Sequence, residues 1–460
     1  MTFDNPALLK ETLNRAAKID VDSGAAPDFE TAVRRLQGHR IQIAVGPEVA
    51  TSAAHQAAVL TIVNVARRFA LGGVLVDGPL DGTVLVGPVL GIPLDVAVRD
   101  VGGVVGAFED GLPTIVVGTS AKATGRGAMV TFEGWRGGIV RLDGHRLSER
   151  TTVIPAAVLA GAVAAGEAFA MLRGEVEAGR RSMGLSLWRP DRTADWTSAS
   201  SDGPELQALP DHLWVLGLGH LGQAFLWTLM LCDFADPARV RLTLQDMDRV
   251  TGSTDSTSIL TQSGMVGQLK TRAVAEVLER RGFATTLIER PFNGRFDHDP
   301  TSDPAVLVCG VDNALARSRL ETPGFPFVVE AGIGHRAGDY RALRVHTFPS
   351  SGKSAAVLWA APGSGGTTVL DRPAYRRLAE SGGDVCGLTQ LAETAVGAPF
   401  VGTVAGTLML AQVLRLLASD APDMLIDMDL RAPKARRAIF NGRTITAVPS
   451  FQQLRGASSI

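Results

Sequence analysis

Cysteine is scarce: three residues in 460, with no CxxC pair. That argues against a disulfide framework and a paired-cysteine zinc site, and it points to a reducing cytoplasm. A surplus of either charge is also missing, with 45 lysines and arginines against 47 aspartates and glutamates. A nucleic-acid groove or a polybasic membrane anchor would call for such a surplus, so neither partner is expected. The N-terminus, MTFDNPALLKETLNRAAKID, lacks the basic-then-apolar order of a secretory signal. One stretch imitates a membrane span: 394–414 carries no charge over 21 residues, long enough to cross a bilayer. Pro399, Gly397, Gly402 and Gly406 within it suit a loop feeding a buried helix, and the span is the alternative.

What is present is an alternating pattern, twice over. A chain of this length predicts two domains. Residues 1–37 read as a helical segment. From 38 to 185, the β-branched runs RIQIAVG, GGVLVDG, GTVLVG and PTIVVGTS alternate with apolar helices at 53–70 and 154–172. Residues 186–208 are polar, rich in Ser, Asp and Pro, and read as a linker. From 209 to 460 the pattern restarts. Strands are expected at 213–217, 240–246, 285–289, 305–309, 326–330 and 341–348, and helices at 220–232 and 268–282. This describes an α/β fold, a Rossmann-like wound sheet with helices on both faces. Pro155 and Pro399 each open a helix rich in Ala and Gly. Two related halves from an old duplication would explain that; so would the ordinary composition of any α/β core helix.

The chemistry-bearing residues cluster in the second half. In WVLGLGHLGQAF a strand ends in Gly217, Gly219 and Gly222 and turns into a helix. Such a turn bares backbone N–H groups at a helix N-terminus, which carries partial positive charge and suits a phosphate. NAD, FAD, S-adenosylmethionine and ATP sites all use versions of it, and a tight turn without ligand is the plain reading. In LTLQDMDRV the strand ends at Asp246, with Asp248 two residues on. A carboxylate there can accept both ribose hydroxyls, or simply cap a turn. In GMVGQLKTRAVAEVLERRG, Lys270 opens a helix at the end that repels cations. A phosphate partner would justify it; a surface lysine is the alternative. AVLVCGVDNALARSRLE then ends an apolar strand at Asp312-Asn313, with Arg317 behind. A carboxylate at that sheet edge can hold magnesium or cap the next helix.

Taken in order, these four elements resemble the ubiquitin-activating-enzyme superfamily, which includes the ThiF and MoeB adenylyltransferases, over about 205–420, as in a bacterial-type member. Asp246 and Lys270 stand at the family's spacing. The resemblance implies that Gly217, Gly219 and Gly222 line ATP and that Asp246, with Asp248 beside it, binds the ribose. It likewise implies that Lys270 touches the phosphates and Asp312 holds Mg2+. The family usually carries N-x-x-R-Q between the aspartate and the lysine. Here TGSTDSTSIL places Thr257 where its phosphate-contacting arginine belongs. Losing such a contact costs about 1.5–3 kcal/mol. Ser253, Thr254, Ser256 and Thr257 offer hydroxyl donors, and Arg317 is the nearest arginine that could substitute. The first half has only AVGPEV where a glycine fingerprint would be. It reads as a degenerate, inactive adenylation-like domain that makes the chain its own pseudo-dimer, a homodimer being the alternative. Such a half could lend an arginine, for which Arg34 and Arg35 are candidates.

The implied substrate is the C-terminal carboxylate of a ubiquitin-like protein ending in glycine, adenylated and then passed to a thiol, with a conjugating-enzyme-like acceptor beyond. Cys232 and Cys309 lie in the apolar runs LMLCDF and LVCG and read as packing residues. Cys386, in ESGGDVCGLTQ, lies between glycines before the long helix, where the family carries its acyl-accepting cysteine on a crossover loop. Catalytic expectations are therefore Cys386, Lys270 and Asp312. Two rivals remain at this point. A nicotinamide or flavin oxidoreductase also wants the glycines and Asp246, but not Lys270, Asp312 and a loop cysteine together. A non-catalytic nucleotide- or protein-binding module of this fold would tolerate Thr257.

Overall fold

The computed structural model describes residues 5–120, 125–191, 195–360, 372–380, 385–445 and 449–455. Three helices come first: α1 (Pro6–Thr12), α2 (Arg15–Asp22) and α3 (Phe29–Gly38). Asn14 and Asp28 start the latter two by accepting the backbone N–H groups of Ala16 and Thr31.

The first half follows as β1 (Arg40–Val45), α4 (Ala53–Ala66), β2 (Gly73–Asp77), α5 (Leu94–Asp100), β3 (Val104–Val105), β4 (Thr114–Val117), β5 (Gly127–Glu133), β6 (Arg136–Arg141), α6 (Ile154–Leu172) and β7 (Met183–Ser186). Its sheet runs β3-β2-β1-β4-β5-β6-β7. The strands are parallel as far as β5 and antiparallel beyond it.

A short strand, β8 (Ala208–Pro210), precedes the second half: β9 (His212–Leu216), α7 (His220–Met230), β10 (Arg241–Gln245), α8 (Gly252–Asp255), α9 (Lys270–Arg280), β11 (Ala284–Ile288), β12 (Val306–Cys309), α10 (Ala314–Arg317), β13 (Phe327–Ile333), β14 (Ala342–Phe348), α11 (Ala355–Leu358), α12 (Pro373–Glu380), α13 (Val385–Glu393), α14 (Pro399–Leu417), β15 (Asp423–Asp429) and β16 (Arg437–Phe440). The order is β11-β10-β9-β12-β13-β14-β15-β16, and β13–β14 begins the antiparallel part. A last strand, β17 (Phe451–Gln453), pairs back with β8.

The two sheets therefore share one strand order and switch direction at the same place. The helices opened by Pro155 and Pro399 occupy matching positions, each lying between the sixth and seventh strands of its half, β6 and β7 or β14 and β15. This is the wound α/β architecture expected, in two related halves. One strand expectation fails. GTVLVG at 82–87 forms no strand, because the Gln56 side chain takes its polar backbone instead, donating to Thr83 O (2.9 Å) and accepting from Leu85 N (2.7 Å).

α6 and α14 cross at the seam between the halves, flanked by α4 and α7. Both are long and apolar enough to cross a membrane, yet 89% of each apolar window is buried within the protein. The seam is packed by aromatic rings: Phe400 lies 5.6 Å from Phe169 and 6.3 Å from Phe69. Such pairs contribute about 0.5–1.5 kcal/mol beyond area burial. Trp227 Nε1 donates across the seam to Thr61 Oγ1 at 3.0 Å. At Gly406, a Cβ would fall 2.6 Å from Phe225 N, so only glycine lets α14 approach α7 this closely. The polar stretch after β7 is folded back onto the first half. Asp202 accepts from Trp135 N (2.7 Å), and Trp188 packs 5.1 Å from the Trp135 ring.

Candidate nucleotide site at the edge of the second sheet

The site begins where β9 ends. Gly217 takes φ +83°, a conformation L side chains avoid, and a Cβ there would sit 2.8 Å from Val311 N. At Gly222 a Cβ would lie 1.9 Å from Gly217 O, so the helix could not seat on the strand. Among the described residues, nothing lies within 4 Å of the corresponding position at Gly219. The three glycines thus do three jobs: the first turns the chain, the third seats the helix, and the second leaves open space in front of the backbone. Gly219 is also the N-cap of α7, and no side chain caps that helix. Its first N–H groups keep their partial positive charge for something else.

β10 ends beside this turn. Asp246 Oδ2 accepts from Leu218 N at 2.7 Å, and Oδ1 accepts from Asp248 N at 2.8 Å. The Asp246 carboxylate is therefore locked to the glycine turn, with lone pairs to spare. Lys270 is the first residue of α9, again without a side-chain cap. Its backbone N–H donates to Asp248 O (2.9 Å), and its ammonium lies 2.9 Å from Asp248 Oδ2 and 4.0 Å from Asp246 Oδ2. The lysine is tethered at both ends to the β10 loop, and only 13% of its side chain is exposed.

β12 ends beside β9. Val311 packs on Gly217, and the next two residues, Asp312 and Asn313, are exposed. Asn313, not Asp312, caps the short α10, accepting from Ala316 N at 3.1 Å. Arg15, which heads α2 in the N-terminal segment, lies within electrostatic reach of Asp312. Burial lowers the Arg15 guanidinium to about 10, and the charges of Asp312 and Tyr375 act against that fall. It is cationic at neutral pH. Its Nη1 donates to Ala395 O (3.2 Å), its Nη2 to Ser253 Oγ (3.4 Å), and its backbone N–H to Ser256 Oγ (3.0 Å). Thr257 and Arg15 flank the same glycine, Gly397.

A separate cavity of about 220 Å3 lies between the halves, lined by residues such as Leu60, Arg67, Ile92, Trp227 and Arg280. It is not part of this site.

The two domains have relatives. Residues 209–420 match the family model described as the BilD C-terminal domain, and residues 40–187 match the BilD N-terminal domain. A protein of Collimonas sp. (strain OK412), named bacterial E1-like protein BilD, is 46% identical over 419 residues, covering 90% of this chain and 90% of that one. The chain belongs to the BilD family of bacterial E1-like proteins. Among solved structures, E. coli MccB aligns with 51% of this chain and 64% of its own, at 14% identity and a TM-score of 0.33. PaaA aligns with 50% and 72%, at 16% identity and a TM-score of 0.30.

In this BilD-family chain the structure brings Gly217, Gly219, Gly222, Asp246, Asp248 and Lys270 together, with Asp312 on the adjoining turn. Arg317 is elsewhere. Its side chain is turned inward, with Nε donating to Val311 O (2.6 Å) and Nη2 to Ala331 O (2.5 Å), so it is not the substitute arginine. The hydroxyls of Ser253 and Ser256 hold Arg15, and Thr254 closes a capping box with Thr251. Arg34 pairs with Glu30 on the surface and Arg35 binds Ala25 O. Arg15 is the arginine that sequence reasoning missed. Its signal was the one read for Lys270: a cation placed first in a helix, against the dipole.

Cys232 and Cys309 are buried, and burial pushes both thiols up to about 12. Cys386 is carried by α13 and not by a loop. Leu388 and Leu391, three apart, are both buried, and α13 packs on α1, which is why the segment is helical. The Cys386 side chain lies outside the described residues. His220, inside the glycine turn, packs against Gly402 of α14, and burial pushes its imidazole down to about 4. It is a neutral spacer, not a phosphate-binding cation.

Proposed function

We propose that this chain uses ATP to activate the C-terminal carboxylate of a ubiquitin-like protein ending in glycine, and then takes the acyl group onto Cys386 as a thioester. The observation that supports this best is the convergence on one sheet edge. An uncapped helix N-terminus, a turn-locked Asp246 and the Lys270 ammonium stand there with the Asp312 carboxylate and an Arg15 delivered from outside the half. A dinucleotide oxidoreductase has no use for the last three together.

The chemistry follows from the charges. Free N–H groups of α7, Lys270 and Arg15 suit a polyphosphate. Asp246 retains acceptor capacity for ribose hydroxyls. The exposed Asp312 carboxylate is the group that would hold magnesium, and the ion supplies charge neutralisation at the phosphates when bound. A carboxylate oxygen of the substrate attacks the α-phosphorus, and the bond to the bridging oxygen of the β-phosphate breaks. Pyrophosphate leaves carrying charge that Lys270 and Arg15 offset. The Cys386 thiolate then attacks the acyl carbon and AMP departs. The first half, which with α2 brings Arg15 to the second, makes the chain its own pseudo-dimer.

The test mixes the protein with ATP, magnesium and a candidate ubiquitin-like partner. Partner-dependent pyrophosphate exchange and a reductant-sensitive adduct, lost in Cys386→Ala, are expected. ATP binding without exchange would instead identify a binding module. Exchange that survives Lys270→Ala and Asp312→Ala unchanged would remove those residues from the site.

A further inference from the structure

Arg317 is a buried cation that the chemistry above leaves unused. Its side chain is 6% exposed, and its ion partner, Glu330, is 0% exposed and 3.3 Å away. Glu330 Oε1 lies 2.8 Å from His346 Nδ1 and accepts from Trp359 Nε1 at 3.0 Å. Glu330 on β13 and His346 on β14 face each other in the sheet register. The Arg317 guanidinium lies 4.4 Å from the centre of the Trp359 ring. The network therefore joins β13, β14 and the residue after α11, and all of it bears on one arginine. A buried ion pair is seldom a net gain in stability over apolar packing, so its placement invites another account.

The other end of Arg317 supplies one. Nε and Nη2 donate in two directions, to Val311 O at 2.6 Å and to Ala331 O at 2.5 Å. Val311 is the residue before Asp312, and it is the surface on which the Gly217 turn rests, with its N–H 2.8 Å from where a Gly217 Cβ would be.

We infer that Arg317 is a positioning residue. Held by its charge pairing with Glu330 and by the Ala331 carbonyl, it fixes the Val311 carbonyl and through it both the Asp312 carboxylate and the glycine turn, setting the spacing between the magnesium-holding and phosphate-holding parts of the site. This rests on the nucleotide reading given above. It assigns Arg317 no contact with ATP. The fork matters as well as the charge: a lysine ammonium cannot reach both carbonyls in this geometry.

The experiment titrates Mg2+ into the full-length protein with a fluorescent ATP analogue and reads the magnesium concentration at half-saturation, with thermal unfolding measured alongside. Arg317→Lys and Arg317→Gln are expected to raise that concentration at least fivefold. Trp359→Phe keeps an aromatic ring, though a smaller one, but deletes the N–H to Glu330, and is expected to raise it about twofold. Adding Arg317→Gln to Asp312→Ala should produce no change beyond that of Asp312→Ala alone, because the arginine acts through that carboxylate. A wild-type magnesium midpoint in Arg317→Lys, or a full additional loss in the double variant relative to Asp312→Ala, overturns the inference. Should Arg317→Gln fail to fold, Trp359→Phe and His346→Gln decide it, since both leave the arginine in place. A wild-type protein that binds no ATP analogue at any magnesium concentration overturns the nucleotide reading itself and this inference with it.

Discussion

The two halves wind their sheets in the same order, yet their first turns are opposites. After β9 the chain runs Gly217-Leu218-Gly219 into a helix that no side chain caps, with open space before Gly219. After β1 it runs Gly46-Pro47-Glu48 into a 3-10 turn, and α4 beyond it is capped by Ser52, whose Oγ accepts from His55 N. Glu48 folds back over the strand ends. Its two oxygens accept from Thr119 N at 3.1 and 3.0 Å, and Oε2 lies 2.4 Å from where a Gly46 Cβ would be. A carboxylate stands in the first half against the backbone that the second half leaves bare for an anion. The scaffold survives such a change because the sheet does not depend on what sits at its edge; the binding does, since two anions cannot share one set of N–H groups. On the proposed reading, fold and chemistry are separable within one chain.

The largest effect expected is at the third glycine. Gly222→Val would drive a side chain into Gly217 O, where a Cβ already falls at 1.9 Å. Nothing but backbone is there to yield. Loss of stability of about 3 kcal/mol or more is expected, seen as a lowered denaturation midpoint, together with loss of ATP binding. A midpoint within error of wild type would show that the turn is not the rigid element described.

Next come the cations. Lys270→Ala and Arg15→Ala should each lower pyrophosphate exchange about ten- to a hundredfold, the equivalent of one charge-assisted contact. Arg34→Ala, on the same N-terminal segment but paired with Glu30 in solvent, should leave it unchanged. Equal effects at Arg15 and Arg34 would sink the assignment of Arg15 to the site.

How much of this was legible beforehand follows a physical line. The glycine turn, Asp246, Lys270 and Asp312 could be read because each sits at a strand end or helix start that local patterning reveals. Pro155 and Pro399 at the heads of similar helices hinted at the repetition of the fold, which that pattern alone left open beside the ordinary composition of a core helix. Arg15 carried only its place at the head of α2 as a signal; nothing local tied it to this site, because its partners Ser253, Ser256 and Ala395 are more than two hundred residues away in sequence. Arg317 was misread for the same reason: proximity to Asp312 in sequence suggested the pocket, while Glu330 and Ala331 on the neighbouring strand turn it inward. The glycines around Cys386 suggested a loop, whereas the segment is helical, with Leu388 and Leu391 buried on one face.

A gentler contrast separates the second glycine from the third. Gly219→Ala meets nothing within 4 Å. Stability should stay within about 0.5 kcal/mol of wild type, while affinity for ATP falls severalfold as the methyl occupies the space before the phosphates. Unchanged nucleotide affinity would mean that the open space is not where the phosphates lie.

The smallest effect returns to the first half. Although burial alone would raise it, hydrogen bonding to Thr119 holds the Glu48 carboxyl below the usual glutamate value of 4.5. A folded-state value below the unfolded one means that the ionised form stabilises the fold. That contribution is present above pH 4.5 and is lost as pH falls through the lowered value. The group is half-buried, so solvent screening keeps the effect to about 1 kcal/mol or less. Glu48→Gln cannot lose what it never ionises, so its stability should fall less than that of wild type between about pH 5 and pH 3, measured by urea midpoints. At neutral pH it should also leave exchange untouched, because the proposed nucleotide site lies in the second half. A Glu48→Gln protein with wild-type acid sensitivity would remove the carboxylate from its place over Thr119, and with it the proposed reason why the first half would keep the fold without a ligand.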